Sequence, residues 1–210
     1  MKDMGYVTVL GVDPGETTGW CVMGVDPRDL SSPDTPLNKA VLNGIFKYGQ
    51  IECFFENNGV QELLDLALID YPASVIAMED FVLNFNKADK ARHTLSPVRV
   101  TSKFEYGLWS YQENQVNRIH LQSASLAKTT CTDERLKEWK FYDRHSGLHA
   151  RDAVRHAYYF LRSVRGNTLD CHEKRWMAWP NLYQDPRSMK PQLKKTQSKK
   201  PEGERIFSLG

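Results

Sequence analysis

Three acidic residues stand at comparable places along this chain. Asp13 closes the first apolar, β-branched run, Glu79 closes the run Ser74–Met78, and Asp152 lies in the first turn of the clearest helical pattern. An open sheet presents its ligand site beyond the strand ends, and a helix whose first turn faces that place adds a third group. Carboxylates gathered so closely repel one another unless a cation neutralises them, so the chemistry on offer is that of a hard divalent metal site. Taken singly, each acid is equally at home as a solvated residue at the end of an element. Asp13 is the least ordinary of them. In Gly11-Val12-Asp13-Pro14-Gly15-Glu16-Thr17-Thr18-Gly19-Trp20 the acid is inserted at the end of an apolar strand, immediately before a forced turn. In His149-Ala150-Arg151-Asp152-Ala153-Val154-Arg155-His156-Ala157, helical spacing puts His149, Asp152 and His156 on one arc. Ala150, Ala153, Val154, Ala157, Leu161 and Val164 fill the adjoining apolar arc. This helix is expected to pack on a sheet and offer it a polar edge, where His149 is open to a metal-ligand or a proton-transfer role.

The elements that must position these residues follow from periodicity. Val7–Val12 and Thr17–Val25 read as a hairpin, and after a loop over 26–36 rich in Pro, Ser and Asp, 39–52 reads as a third strand region. Val60, Leu63, Leu64, Ala67 and Leu68 predict a helix over 58–71, followed by the strand that ends in Glu79. A helix between strands implies a crossover, and hence a mixed sheet. A helix over 101–113, a last strand over 116–126, a helix over 132–142 capped by Thr132 and the clearest helix over 149–164 complete the pattern. Beyond Trp179-Pro180 the periodicity stops, although Trp176, Trp179 and Tyr183 are expected to pack back on the domain. The expectation is one α/β domain over 1–184 and a basic tail over 185–210, too poor in large apolar side chains to order alone.

Composition narrows the function classes. The 210 residues are 40% hydrophobic and 26% charged with a net charge of +2, which suits a single packed core and excludes both an acidic disordered segment and a polycation. The balance hides a split: residues 185–210 carry seven basic and three acidic side chains, net +4, leaving −2 for 1–184. No stretch approaches the roughly 18 consecutive apolar residues of a membrane span, and the first residues lack the apolar run of a secretory leader. A cytoplasmic protein without membrane association is expected. Cys21, Cys53, Cys131 and Cys171 show no C-x-x-C spacing, so they read as buried or free thiols rather than a zinc or disulfide framework.

The Val-Asp-Pro-Gly-x-x-x-x-Gly-Trp segment, the apolar strand ending in Glu79 and the helix opening His149-Ala150-Arg151-Asp152-Ala153 resemble, in order and spacing over about residues 7–165, the RuvC-type Holliday junction resolvases, particularly their bacteriophage members. The resemblance implies a ribonuclease H-like fold, with a central five-stranded mixed sheet flanked by helices. It also implies a homodimer that nicks two strands of branched DNA symmetrically, in the cytoplasm of a bacterial host for a phage member. Hydrolysis of the phosphodiester would proceed by in-line attack of water with two Mg²⁺ ions about 4 Å apart. Asp13, Glu79 and Asp152 fall on the family's metal-binding acids, with Asp13 as the natural bridge. His149 falls on a fourth position that is a second aspartate in many members; nitrogen there suits Mn²⁺ better than Mg²⁺.

Binding a phosphate backbone requires cations around the acidic centre. The candidates are Lys87, Lys90, Arg92, Arg99 and Lys103 after the Glu79 strand, Lys128 after the last strand, and Arg144, Arg151 and Arg155 beside the last helix. The family's strand ending in a phosphate-facing lysine adds support for Lys128. Phe81 and Phe85 are candidates for stacking on bases at a branch point. The helix over 101–113, with Phe104, Leu108, Trp109 and Tyr111, has more aromatic surface than one face needs and is a candidate isologous interface. Other readings stay open: a ribonuclease acting on RNA–DNA hybrids shares the geometry, and a non-catalytic binder of branched DNA is opposed by the retention of three acids. Asp13–Gly19 also resembles the phosphate loop of actin-like and sugar-kinase ATPases, which need a second glycine-rich loop; this chain has no Gly-Gly pair.

Overall fold

A computed structural model describes residues 5–32, 34–53, 58–72, 74–81, 95–111 and 118–186. Its strands are β1 (Val7–Asp13), β2 (Thr17–Val25), β3 (Phe46–Glu52), β4 (Val75–Asp80) and β5 (Ile119–Ser123). The helices are α1 (Pro27–Ser31), α2 (Leu37–Leu42), α3 (Asn58–Asp65, continued by a π-helical turn Leu66–Asp70), α4 (Ser96–Tyr111), α5 (Ala124–Thr130), α6 (Asp133–Glu138), α7 (Leu148–Val164) and α8 (Leu169–Ala178).

The strands form one sheet in the order β3-β2-β1-β4-β5. A tight turn returns the chain antiparallel from β1 to β2, and a longer connection carrying α1 and α2 returns it antiparallel from β2 to β3. The α3 crossover then carries the chain to the other side of β1, so β4 and β5 join in parallel. This is the five-stranded mixed sheet flanked by helices that the sequence predicts. All seven residues of β1 are buried, because both faces of the sheet are covered. On one face Leu10, Val12, Val22, Ile76 and Met78 meet α3 and α4 through Leu63, Leu64, Phe104 and Leu108. On the other, Val9, Cys21, Met23, Val75 and Ala77 meet α7 through Ala153, Val154, Ala157 and Leu161.

Several elements differ from the sequence expectation. Residues 39–42 belong to α2, whose buried Leu37, Ala40 and Val41 recur at helical spacing, and β3 begins only at Phe46. Inside the expected loop lies α1, started by Pro27 and by Asp26, whose side chain accepts from the Arg28 amide. The helix expected over 101–113 begins at Ser96, with Tyr111 exposed rather than on its buried face. The last strand is confined to Ile119–Ser123, and α5 follows it directly. An additional helix, α8, has a fully buried arginine in its inner stripe: Arg175 donates to the carbonyls of Leu30, Val164 and Gly166 at 2.9, 2.9 and 2.7 Å. Trp179 is buried and Tyr183 packs against the same cluster, as expected. The four cysteines are buried and free. No helix among the described residues is long and apolar enough to cross a membrane. The basic tail, apart from Asp185 and Pro186, lies outside the described residues.

Candidate active site

Two glycines decide how closely α7 approaches the sheet. Asp13, the last residue of β1, pairs with Gly19 of β2. A Cβ at Gly19 would sit 2.0 Å from the His149 carbonyl oxygen, and one at Gly11 would sit 2.2 Å from that of Ala153. Only a residue without a side chain lets the helix backbone rest there, and the fully buried Ala150 and Ala153 keep the approach equally close from the helix side. The N-terminal turns of α7 therefore lie against the end of β1. His149 Nδ1 stands 2.7 Å from Asp13 Oδ2.

Strand register supplies the next acid. In the parallel pair, Val12 stands beside Met78, so Asp13 and Glu79 follow one another's level on neighbouring strands. Because side chains alternate and Val12 and Met78 face α3 and α4, Asp13 and Glu79 share the α7 face. Glu79 in turn pairs with Gln122 of β5, which extends the row across the sheet.

Asp13 is 7% exposed, and its carboxyl is pushed up to about 6. Burial is the main cause, the negative charges of Glu79 and Asp152 raise it further, and the hydrogen bond with His149 opposes both. Glu79 is held below the usual carboxylate range, first by its hydrogen bond with His156, against partial burial, and then by the charges of His156 and Lys128. At Asp152, Lys128 Nζ lies 2.9 Å from Oδ2 while the Arg155 guanidinium pairs with Oδ1. Desolvation alone would lower the Lys128 ammonium, but Asp152, Glu79 and Asp13 together hold it above its ordinary value. Asp13, Glu79, Asp152 and His149 thus stand within one electrostatic neighbourhood.

The donor set fits a hard divalent cation: three carboxylates supply oxygen ligands, and the crowding at Asp13 is the negative excess that such an ion relieves. Among the described residues, no three His, Cys, Asp or Glu side chains are gathered round a single point as a finished cation cage. Protein groups counter the acids instead, with His149 at Asp13, His156 at Glu79, and Lys128 and Arg155 at Asp152.

The expected DNA-contacting residues separate into groups. Lys128, on α5, has a half-exposed side chain beside the acids. Arg151 projects from α7, donates to the Tyr142 hydroxyl at 3.2 Å and lies over that ring. Arg144 is exposed in the loop before α7. Phe81 follows β4 directly and is half-buried. Arg155 departs from the expectation. Its side chain is 13% exposed and donates to the Cys131 carbonyl at 3.0 Å as well as to Asp152 and Asp133, so it is engaged inside the protein. Arg99 and Lys103 lie on α4, which packs on the sheet face opposite α7. Lys87, Lys90, Arg92 and Phe85 lie outside the described residues.

Two residues close to the acids were given no role by the sequence reading. His156, placed on the polar arc by spacing, is 1% exposed and sits between Glu79 and Gln122. Gln122 had no sequence signal, because its position depends on the β4–β5 register.

The sheet order, with acids at the ends of β1 and β4 and near the start of α7, defines an α/β protein with a five-stranded mixed sheet flanked by helices. No family model matches the chain. Among solved structures it is similar to T. thermophilus RuvC in complex with Holliday junction substrate, with a TM-score of 0.42 and 11% identity over 73% of this chain and 92% of that one.

Proposed function

We propose that this protein is a divalent-metal-dependent endonuclease that cuts branched DNA, in the manner of the Holliday junction resolvases its motifs resemble. One observation carries the reading: a buried aspartate at the end of the central strand is crowded by the charges of Glu79 and Asp152 and faced by His149. Asp13 with Glu79, and Asp13 with Asp152 and His149, would hold Mg²⁺ or Mn²⁺. When bound, these ions supply polarisation of the scissile phosphate and a lowered pKa for the attacking water.

The chain's own groups do the rest. His149, 2.7 Å from Asp13, orients that carboxylate, and its remaining ring nitrogen would serve either as a metal ligand or, alternatively, as the acceptor of a proton from water. Lys128 has the exposure and reach to leave Asp152 for a phosphate oxygen, trading one anionic partner for another. Arg151 and Arg144 flank the same end of α7. A homodimer would supply a second site for the symmetric cut, and α4 exposes Tyr106, Trp109 and Tyr111 as the surface for it. Sedimentation is expected to give twice the 24.2 kDa chain mass.

The test is nicking of a synthetic four-way junction. Wild type is expected to cut in Mg²⁺ or Mn²⁺ and to stop in EDTA. Asp13→Asn is expected to lose cleavage while still shifting the junction in a gel. A variant that cuts near-normally would falsify the assignment, and preferential cutting of an RNA–DNA hybrid competitor would replace branched DNA with the hybrid as substrate.

A further inference from the structure

Behind Glu79 lies a polar pair that the proposed chemistry does not use. His156 is carried by α7 and is all but inaccessible to solvent, an unusual place for an imidazole on a helix that packs against a sheet. Its two nitrogens point at two strands. Nε2 is 3.4 Å from Glu79 Oε2 on β4, and Nδ1 is 3.1 Å from Gln122 Oε1 on β5. Gln122 is itself buried and stands opposite Glu79 in the strand register. To donate to the carboxylate through Nε2, a neutral ring accepts at Nδ1 from the Gln122 amide nitrogen, whereas an imidazolium donates through both nitrogens, to Glu79 Oε2 and to Gln122 Oε1. In either state Gln122 holds the ring with Nε2 toward the carboxylate.

Glu79 has one more side-chain torsion to restrain than an aspartate, and its Oε2 is the oxygen met by this ring. We infer that His156, braced by Gln122, is a positioning residue for Glu79: it holds Oε2 from behind while the carboxyl keeps its hydrogen bond with Asp13. Partners of this kind behind ligating carboxylates contribute about 10–100-fold to metal affinity or activity. Arg155, one residue earlier on α7, performs the comparable service for Asp152. The helix therefore restrains two acids through side chains that touch neither substrate nor the reacting atoms.

The inference rests on Glu79 being a metal-facing group, so the experiment carries its own control. Mn²⁺ is titrated into the metal-free full-length chain without DNA, and free Mn²⁺ is followed by its electron paramagnetic resonance signal. His156→Phe keeps the ring's bulk and removes both nitrogens; it is expected to weaken Mn²⁺ binding about 10–100-fold, and Gln122→Leu about 3–10-fold. His156→Gln, whose amide can still donate to Glu79, is expected to recover most of the loss. Circular dichroism and gel-shift affinity for a four-way junction are expected to stay at wild-type values.

Glu79→Gln is the control. If it weakens Mn²⁺ binding while folded His156→Phe and Gln122→Leu chains bind like wild type, the positioning role is overturned and the metal reading stands. If Glu79→Gln binds Mn²⁺ like wild type, the metal reading itself fails and this inference falls with it. Should His156→Phe not fold, Gln122→Leu together with the His156→Gln rescue decides the question.

Discussion

Replacing the central acid should make the metal-free protein more stable. Burial moves Asp13 from the ordinary 3.8 to about 6, so the folded chain holds this proton more tightly than the unfolded chain does. Each pKa unit corresponds to about 1.4 kcal/mol, and keeping Asp13 charged in the folded state at neutral pH therefore costs about 3 kcal/mol. The stability associated with the protonated group is fully present below about pH 4 and is lost as pH rises through about 6. Asp13→Asn keeps an oxygen that can accept from His149 but carries no charge. At about pH 7.5 the variant should be more stable by about 2–3 kcal/mol, which for a chain of this size raises Tm by about 5–10 °C. At about pH 4 the difference should vanish, because wild type is then neutral there as well. Thermal melts in EDTA across this range, followed by circular dichroism, measure it directly. Millimolar Mn²⁺ should raise Tm for wild type and leave the variant unmoved. A variant that is less stable at neutral pH, or one with the same offset at both ends of the range, would refute the reasoning.

Other expectations follow from particular contacts. Gly19→Ala places a Cβ 2.0 Å from the His149 carbonyl, so it should cost about 3 kcal/mol in urea unfolding and abolish cleavage by lifting α7 from β1. Gly15→Ala, whose Cβ would meet Thr17 O at 3.3 Å, should cost about 1 kcal/mol or less. Arg155→Met removes a cation shared by Asp152, Asp133 and the Cys131 carbonyl and should destabilise by about 2–3 kcal/mol in the same assay, with little change in the salt slope of DNA binding. Lys128→Gln should do the reverse, leaving stability nearly unchanged and reducing that slope by about 1.

What could be read from the sequence depended on how each residue signals its surroundings. The β1–β2 hairpin and β4 were legible because strands buried on both faces are continuous apolar runs, and an acid ending such a run stands out. The approach of α7 was written in Ala150, Ala153 and Ala157, although the sequence does not say that Gly11 and Gly19 are their counterparts. The α2 helix is hard to read because it is only six residues long: Leu37, Ala40 and Val41 do keep helical spacing, but so short an apolar set next to β3 does not separate a helix from a strand. The α8 helix is masked in the sequence because Arg175, fully buried by three carbonyl acceptors, breaks its apolar stripe. The ion pair of Arg155 is legible in the spacing. The arginine stands three residues after Asp152 on the same helix, the spacing at which opposite charges meet. Gln122 and the bracing of His156 depend on the β4–β5 register, which local pattern does not encode.

The convergence of Asp13, Glu79 and Asp152 on bound cations is tested most directly by anomalous diffraction from crystals grown or soaked in Mn²⁺. An anomalous peak within coordination distance of an Asp13 oxygen, shared with Glu79 or with Asp152 and His149, is the predicted result. Saturating Mn²⁺ with no peak at Asp13, and with Lys128 and Arg155 still seated on Asp152, would contradict the account.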